Sequence, residues 1–461
     1  MTQTYLFYDI ETTGLNKAFD QILHFAAIRT DTELNELDRY DIKIKLNSDA
    51  VLSPYALKTH RIGIKEAQQG INEFDAMKQI HRCVNTPGTI SLGYNSLGFD
   101  DEFLRFSFYR NLLPPYTHQY ENQCGRMDLF PLAIPYFLFK NEIITWPKDN
   151  LKLENINKEN QFHDGRSHHA MTDVEITLAL ARKFFAEREM WDYIKGFFNK
   201  ETDQKRFKQW QQGSGEHSAA LLISNEFYRE NNYQTLAVLL GQHRHYKNQM
   251  IWLRLDKFKF DEKTTREDLW TTNKKWCEPP FVFPLKSRFQ EKLSPLNLSI
   301  AENNLAWLQK HPDFLNEIKN YFCEYQYPVL PTTDVDASLY LNGFWTPQEK
   351  NICENFMTAT PQEKSHMIEN MNNPILKELA TRVLGRHFPE SLSFKQMNDF
   401  SNYLQRIHSS DETKIPHDFK GEKHLTPQKA LIEIELIRGN ETLDENQNIL
   451  LDELEEYLRK L

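Results

Sequence analysis

The sequence predicts an α/β layered domain, then a small β domain, then a helical C-terminal domain. Three observations predict it. Strand-like apolar runs alternate with helical patterns up to about residue 195. Three further strand-like runs, 218–224, 234–240 and 249–255, follow without helices between them. From Pro347 onward the apolar residues recur only at helical spacing. The chain has 461 residues, too many for one core, so two to four domains are expected.

The first strand is Tyr5-Leu-Phe-Tyr-Asp-Ile-Glu11, a buried run whose outgoing end carries Asp9 and Glu11. Residues i and i+2 of a strand share a face, so the two carboxylates project together. Side by side they repel unless a cation sits between them, and hard divalent ions take such oxygen ligands. A polar strand end is the alternative reading of this triplet. Thr12-Thr13-Gly14 then turns the chain.

Ile22–Ile28 reads as a second buried strand, and Tyr40–Leu46, which alternates, as a third with one wet face. Residues 64–84 read as one helix, with Ile64, Ala67, Ile71, Phe74, Met77 and Ile80 at helical spacing. Thr89–Tyr94 is a short strand that leads through Phe99-Asp100 into an aromatic helix, Phe103 to Tyr109. Asp100 lies at the strand-to-helix junction, where a carboxylate serves either as a metal ligand or as an N-cap. Asp101 and Glu102 read as a solvated first turn that complements the helix dipole.

A strong amphipathic helix begins at Ala170, with Val174, Leu178, Ala181 and Phe185 on one side and Asp173 in its first turns. Asp173 is either a ligand or a dipole-compensating residue. Two histidines are candidate bases. His169 shares a face with Asp173 if both lie on a regular helix. His168 faces the same place only if it lies in the loop before the helix.

Together Asp9, Glu11, Asp100 and Asp173 supply four carboxylates from three separated segments, with a histidine nearby. Phosphodiester hydrolysis by two Mg²⁺ or Mn²⁺ ions about 4 Å apart needs such a set. A neutral histidine can take the proton from the attacking water. The order D-x-E, F-D, H-x-A-x-x-D resembles the DEDDh exonuclease superfamily. Gly93-Tyr94-Asn95, Phe99–Glu102, Phe108–Asn111, Arg126-x-Asp128-Leu129 and Leu153-Glu154 narrow the resemblance to the bacterial exonuclease I family.

That resemblance implies an RNase H-like exonuclease domain with a mixed sheet over 1–195, an SH3-like β domain over 200–345 that contacts single-stranded DNA, and a helical domain over 346–461. It implies Asp9, Glu11, Asp100 and Asp173 as metal ligands, His168 as the base, and Glu11, Thr12 and Lys152 as substrate-binding residues. Lys152 stands where the family's phosphate-contacting arginine is expected, and lysine lacks the bidentate fork. The implied activity is 3′→5′ degradation of single-stranded DNA to 5′-mononucleotides, in DNA repair and recombination. Two Mg²⁺ ions, replaceable by Mn²⁺, are the implied cofactors. The C-terminal tail of single-stranded DNA-binding protein is the implied partner of a monomer. A DEDDh enzyme acting on RNA or proofreading for a polymerase is the neighbouring alternative. A non-catalytic nucleic-acid-binding scaffold is the distant one, and the full carboxylate set argues against it.

The remaining composition sets limits. A net charge of −10 leaves room only for a local basic groove. The middle segment is the least acidic. There Arg244, Lys247, Arg254, Lys257, Lys259, Lys274, Lys275, Lys286 and Arg288 interleave with Tyr246, Trp252, Phe258, Trp276 and Phe289. Cations for phosphates and rings for stacking suit a single strand, whereas a solvated surface over an aromatic core is the plainer reading. Polar residues from Thr202 to Glu216 read as a linker. Asp334–Tyr340 with Asn342-Gly343-Phe344 resembles the family's junction into its last domain, with one residue more. In that domain Asn373, Pro374 and Gly385 read as the cap, first position and end of one helix. Five scattered cysteines without a C-x-x-C pair read as reduced cytoplasmic thiols. No apolar run approaches a membrane span, and no signal peptide is expected.

Overall fold

The computed structural model describes residues 2–165, 169–213, 219–330 and 332–461. Its first layer is a five-stranded mixed sheet in the order β3-β2-β1-β4-β5. The strands are β1 (Thr4–Thr12), β2 (Ile22–Thr30), β3 (Glu36–Lys43), β4 (Thr89–Gly93) and β5 (Gly125–Asp128). Central β1 pairs antiparallel with β2 and parallel with β4. Tyr5 and Phe7 pack with Val174, Leu178 and Ala181 of the Ala170–Phe185 helix. Leu6, Tyr8 and Ile10 pack on the other face, with Met77, Ile80, Phe103 and Phe108. The odd positions of β1, Asp9 and Glu11 included, therefore face the helix that carries Asp173.

The expected helix over 64–84 is two helices, Ile64–Ala67 and Glu73–Val84. A Cβ on Gly70 would lie 2.5 Å from the Ile44 carbonyl carbon, so the chain there runs against the end of the third strand. Ile71 forms a β-bridge with Ile44, and Asn72 restarts the helix by accepting from the Asp75 amide. β3 ends at Lys43 rather than Leu46: Ile44 still donates to the Leu23 carbonyl at 2.8 Å, but Lys45 donates to the Ile71 carbonyl at 2.7 Å.

The second sheet is antiparallel, in the order β10-β6-β7-β8-β9. Its strands are β6 (Ala219–Ile223), β7 (Gln234–Gln242), β8 (Gln249–Arg254), β9 (Thr271–Lys275) and β10 (Phe281–Phe283). The last strand returns to pair with the first. β9 is five polar residues and β10 only three apolar ones, which hid them from pattern reading. Two helices not expected in this segment, Pro295–Lys310 and Pro312–Glu324, cover β7 with Leu308, Ile318 and Cys323.

The polar stretch expected as a linker is a helix, Lys200–Gly213. Phe207 and Trp210 pack on Trp252 of β8, and buried Asp203 pairs with buried Lys274 at 2.6 Å. Two rings and one ion pair hold a helix whose remaining surface is polar. Residues 214–216 of that stretch lie outside the described residues.

The C-terminal segment is helical, and six helices lie between Pro347 and Leu458. Asn373 caps the Pro374–His387 helix as expected, but Gly385 lies inside it. A Cβ there would stand 2.4 Å from the Phe400 ring, so this glycine admits a ring rather than ending a helix. Ala430, Ile434, Leu451 and Leu454 pack on Leu52, Leu57 and Ile64 of the first segment. Arg386 pairs with Asp49 at 2.7 Å, and Arg382 with Asp336 at 2.8 Å. All five cysteines are free thiols.

Candidate active site

Asp9 and Glu11 leave β1 on the face turned to the Ala170–Phe185 helix. Asp173, in that helix's first turn, meets them. One carboxylate oxygen from each lies within 4.8 Å of the others, and all three residues are half-buried. Among the described residues this is the one His, Cys, Asp and Glu cluster with the spacing of a metal site.

Asp100 arrives from the opposite face. It is the first residue of the Asp100–Arg110 helix and is 5% exposed. Its Oδ1 accepts the Ile10 amide hydrogen at 3.2 Å, between the two β1 carboxylates. It therefore does not cap its own helix, whose N-cap position is Phe99. Burial, with Asp128 and Asp101 nearby, pushes its carboxyl up to about 8. Burial also holds Asp9 well above the usual carboxylate range, and among its charged neighbours Asp100 acts most strongly, ahead of Asp173 and Glu11. A divalent cation among these oxygens reverses the sign of that interaction.

Asp101 is not a solvated residue. It is 1% exposed, with Arg105 at 2.7 Å, Arg126 at 2.5 Å and His118 at 2.8 Å. Burial alone would raise its carboxyl, but the two guanidiniums hold it well below the usual range. Glu102 is half-buried and pairs with Arg105 at 2.6 Å.

His168 lies outside the described residues. His169 does not share a helical face with Asp173. It is the N-cap residue, with extended backbone, and its carbonyl accepts the Asp173 amide hydrogen at 3.1 Å. Its ring stands edge-on to His24, 5.5 Å between centroids. Thr12 is buried, and its hydroxyl donates to the Gly14 carbonyl at 2.7 Å. Lys152 is the N-cap residue of the Leu153–Asn160 helix, and its side chain is 68% exposed.

Asp128 was marked in the sequence only by resemblance. It caps the Leu129–Phe139 helix by accepting from the Phe130 amide, and it also accepts from the Asn95 and Leu97 amides at 2.8 and 3.1 Å. It thus fixes the loop between β4 and Asp100. Asn95 in that loop is left-handed, with φ 64°. An aspartate directly before an apolar helical run was the available signal.

The basic middle stretch divides. Arg254 and Lys274 are buried against Asp256 and Asp203, so neither reaches a strand of nucleic acid. Trp252 and Phe289 belong to the core. Lys247, Lys257, Lys259, Lys275, Lys286 and Arg288 remain at the surface. Lys257 sits 4.9 Å from the centroid of Trp270, an exposed ring that the sequence pattern did not single out.

A mixed 3-2-1-4-5 sheet with carboxylates converging at the outgoing end of its central strand is the RNase H-like arrangement. Residues 6–181 match the family described as Exonuclease (RNase_T). Residues 333–461 match the family described as Exonuclease I C-terminal domain. The chain belongs to the exonuclease I family.

Exodeoxyribonuclease I of Escherichia coli (strain K12) is 26% identical over 433 residues, covering 88% of this chain and 90% of that protein. The structure of E. coli exonuclease I in complex with a dA16 oligonucleotide superposes with a TM-score of 0.82 at 22% identity, covering 99% of each chain. The zinc-bound form of the E. coli enzyme with single-stranded DNA gives the same TM-score, identity and coverage.

Proposed function

We propose that this chain is a metal-dependent 3′→5′ exonuclease that degrades single-stranded DNA to 5′-mononucleotides, in DNA repair and recombination. The observation that carries this reading is the meeting of Asp9, Glu11 and Asp173 within 4.8 Å, on the sheet of an exonuclease family. The E. coli relative was crystallised with a single-stranded oligonucleotide.

The donor set is all carboxylate oxygen, which suits Mg²⁺, with Mn²⁺ able to replace it. Asp9, Glu11, Asp173 and Asp100 would hold two ions. Bound there, they supply an acidified water and charge for the leaving oxygen. His168 takes the proton of the attacking water. Glu11 and Thr12 position the terminal nucleotide, and Lys152 meets a phosphate further along.

The segments 1–195, 200–345 and 346–461 act as the catalytic, strand-contacting and closing parts. The chain works as a monomer in the cytoplasm and binds the C-terminal tail of single-stranded DNA-binding protein. Among the described residues no helix is long and apolar enough to cross a membrane.

The test is digestion of a 5′-labelled DNA oligonucleotide with Mg²⁺ or with EDTA, beside a matched RNA. A ladder shortening from the 3′ end, on DNA and only with metal, is the expected result. Asp9→Ala and Asp173→Ala should lose cleavage and keep binding, and His168→Ala should be severely slowed. Normal cleavage by either aspartate variant overturns the site.

A further inference from the structure

The first turn of the Asp100–Arg110 helix is where three stretches of the chain meet. Arg126, on β5, gives Nη1 to Asp101 at 2.5 Å and Nη2 to Glu278 at 3.0 Å. Glu278 belongs to the connection between β9 and β10. That connection is itself fastened: Lys274 Nζ donates to the Glu278 carbonyl at 2.6 Å and pairs with Asp203 at 2.6 Å. From the C-terminal side, the Tyr340 hydroxyl donates to Glu102.

These charges are mutually dependent. Asp101 faces two guanidiniums, Arg105 and Arg126, and Glu278 supplies the second anion. Without Glu278, Arg126, whose side chain is 11% exposed, keeps Asp101 as an anion and is free to turn away from the second sheet. Asp101 adjoins Asp100 in the chain. Asp100 in turn reaches the β1 amide of Ile10, so any shift of this turn moves a carboxylate of the site.

We propose that Arg126 and Glu278 are positioning residues for Asp100, and that through them the seating of the second sheet on the first sets how tightly the site holds its metal. This rests on the reading of Asp100 as a metal ligand. Groups outside a metal's immediate ligands commonly set affinity and activity by about 10–100-fold. A merely structural pair would lower thermal stability and leave metal affinity unchanged.

The experiment is Mn²⁺ binding followed by electron paramagnetic resonance, beside single-turnover cleavage, on wild type, Glu278→Gln and Asp100→Asn. For Glu278→Gln the expected result is a Kd for Mn²⁺ raised about tenfold. Cleavage should be slow at limiting metal and recover at saturating metal. Affinity for single-stranded DNA in EDTA should be unchanged. If Asp100→Asn weakens Mn²⁺ binding and Glu278→Gln does not, the positioning role is overturned and the ligand reading stands. If Asp100→Asn leaves Mn²⁺ binding unchanged, the ligand reading itself falls, and the positioning role with it. Should Glu278→Gln not fold, Arg126→Lys, which keeps the charge and loses the fork, is read by the same criteria.

Discussion

The amide of Ile10 donates to Asp100 Oδ1 at 3.2 Å. This bond joins the strand that carries Asp9 and Glu11 to the helix that carries Asp100. It brings Asp100, from the other face of the sheet, to the backbone between Asp9 and Glu11. Asp9 and Glu11 turn toward one helix layer, while Asp100 comes over the strand end from the other.

This arrangement makes stability depend on pH and metal. Asp100 titrates near 8 in the folded chain, far above a free carboxylate, and Asp9 is raised too. The folded protein then holds protons that the unfolded chain has released, so stability falls as pH rises toward 8. Buried histidines such as His24, His118 and His387 are lowered mainly by burial and act in the opposite direction below about pH 6.5. Across the window from 6.5 to 8 unfolded histidines still lose protons and the raised cysteine thiols begin to count, so it is the comparison with Asp100→Asn that isolates the carboxylate. In EDTA, denaturant midpoints should decline across this window, by at most about 1.4 kcal/mol per pH unit for each proton. Mg²⁺ or Asp100→Asn should flatten the decline. An equal slope in wild type and variant would count against the assignment.

Lys274 is structural. It is fully buried and pairs with Asp203, which ties the Lys200–Gly213 helix to β9. Lys274→Ala should cost about 3–5 kcal/mol, because Asp203 is left buried without its cation. Urea unfolding measures this. DNA affinity per folded molecule should be unchanged, whereas loss of affinity without loss of stability would restore Lys274 as a phosphate contact.

Gly385 is a packing requirement. Gly385→Ala puts a methyl into the Phe400 ring, and overpacking of this kind costs about 1–3 kcal/mol, outweighing the better helix propensity of alanine. Adding Phe400→Leu should recover part of the loss. Thermal melts of the three proteins decide it.

Lys152 is exposed at the start of its helix, 3.9 Å from Glu154, which a phosphate would have to displace. Lys152→Ala should weaken binding of single-stranded DNA and reduce the salt slope by about one ion. Lys152→Arg should tighten binding, because the fork grips phosphate with two bonds. Binding isotherms at several salt concentrations test both, and an unchanged slope in the alanine variant removes Lys152 from the substrate path.

Local periodicity was enough to read much of this protein. A strand's two-residue repeat puts Asp9 and Glu11 on one face whatever surrounds them, and the apolar stripe after Ala170 makes a helix with Asp173 in its first turn. The alternation of strands and helices and the helical run after Pro347 were legible for the same reason. Tertiary structure decided what depends on neighbours distant in sequence. Arg126 and Arg105 make Asp101 a buried residue, although its position in a first helical turn reads as solvated. Phe207 and Trp210 fold an apparent linker because a sheet lies beneath them. Gly70 breaks a well-spaced helix because the Ile44–Lys45 backbone passes there. Lys274 and Arg254 look like surface cations until their buried carboxylates are in place. Charge and polarity in a sequence state what a side chain can do, and only the packed neighbours state whether water or a partner will satisfy it.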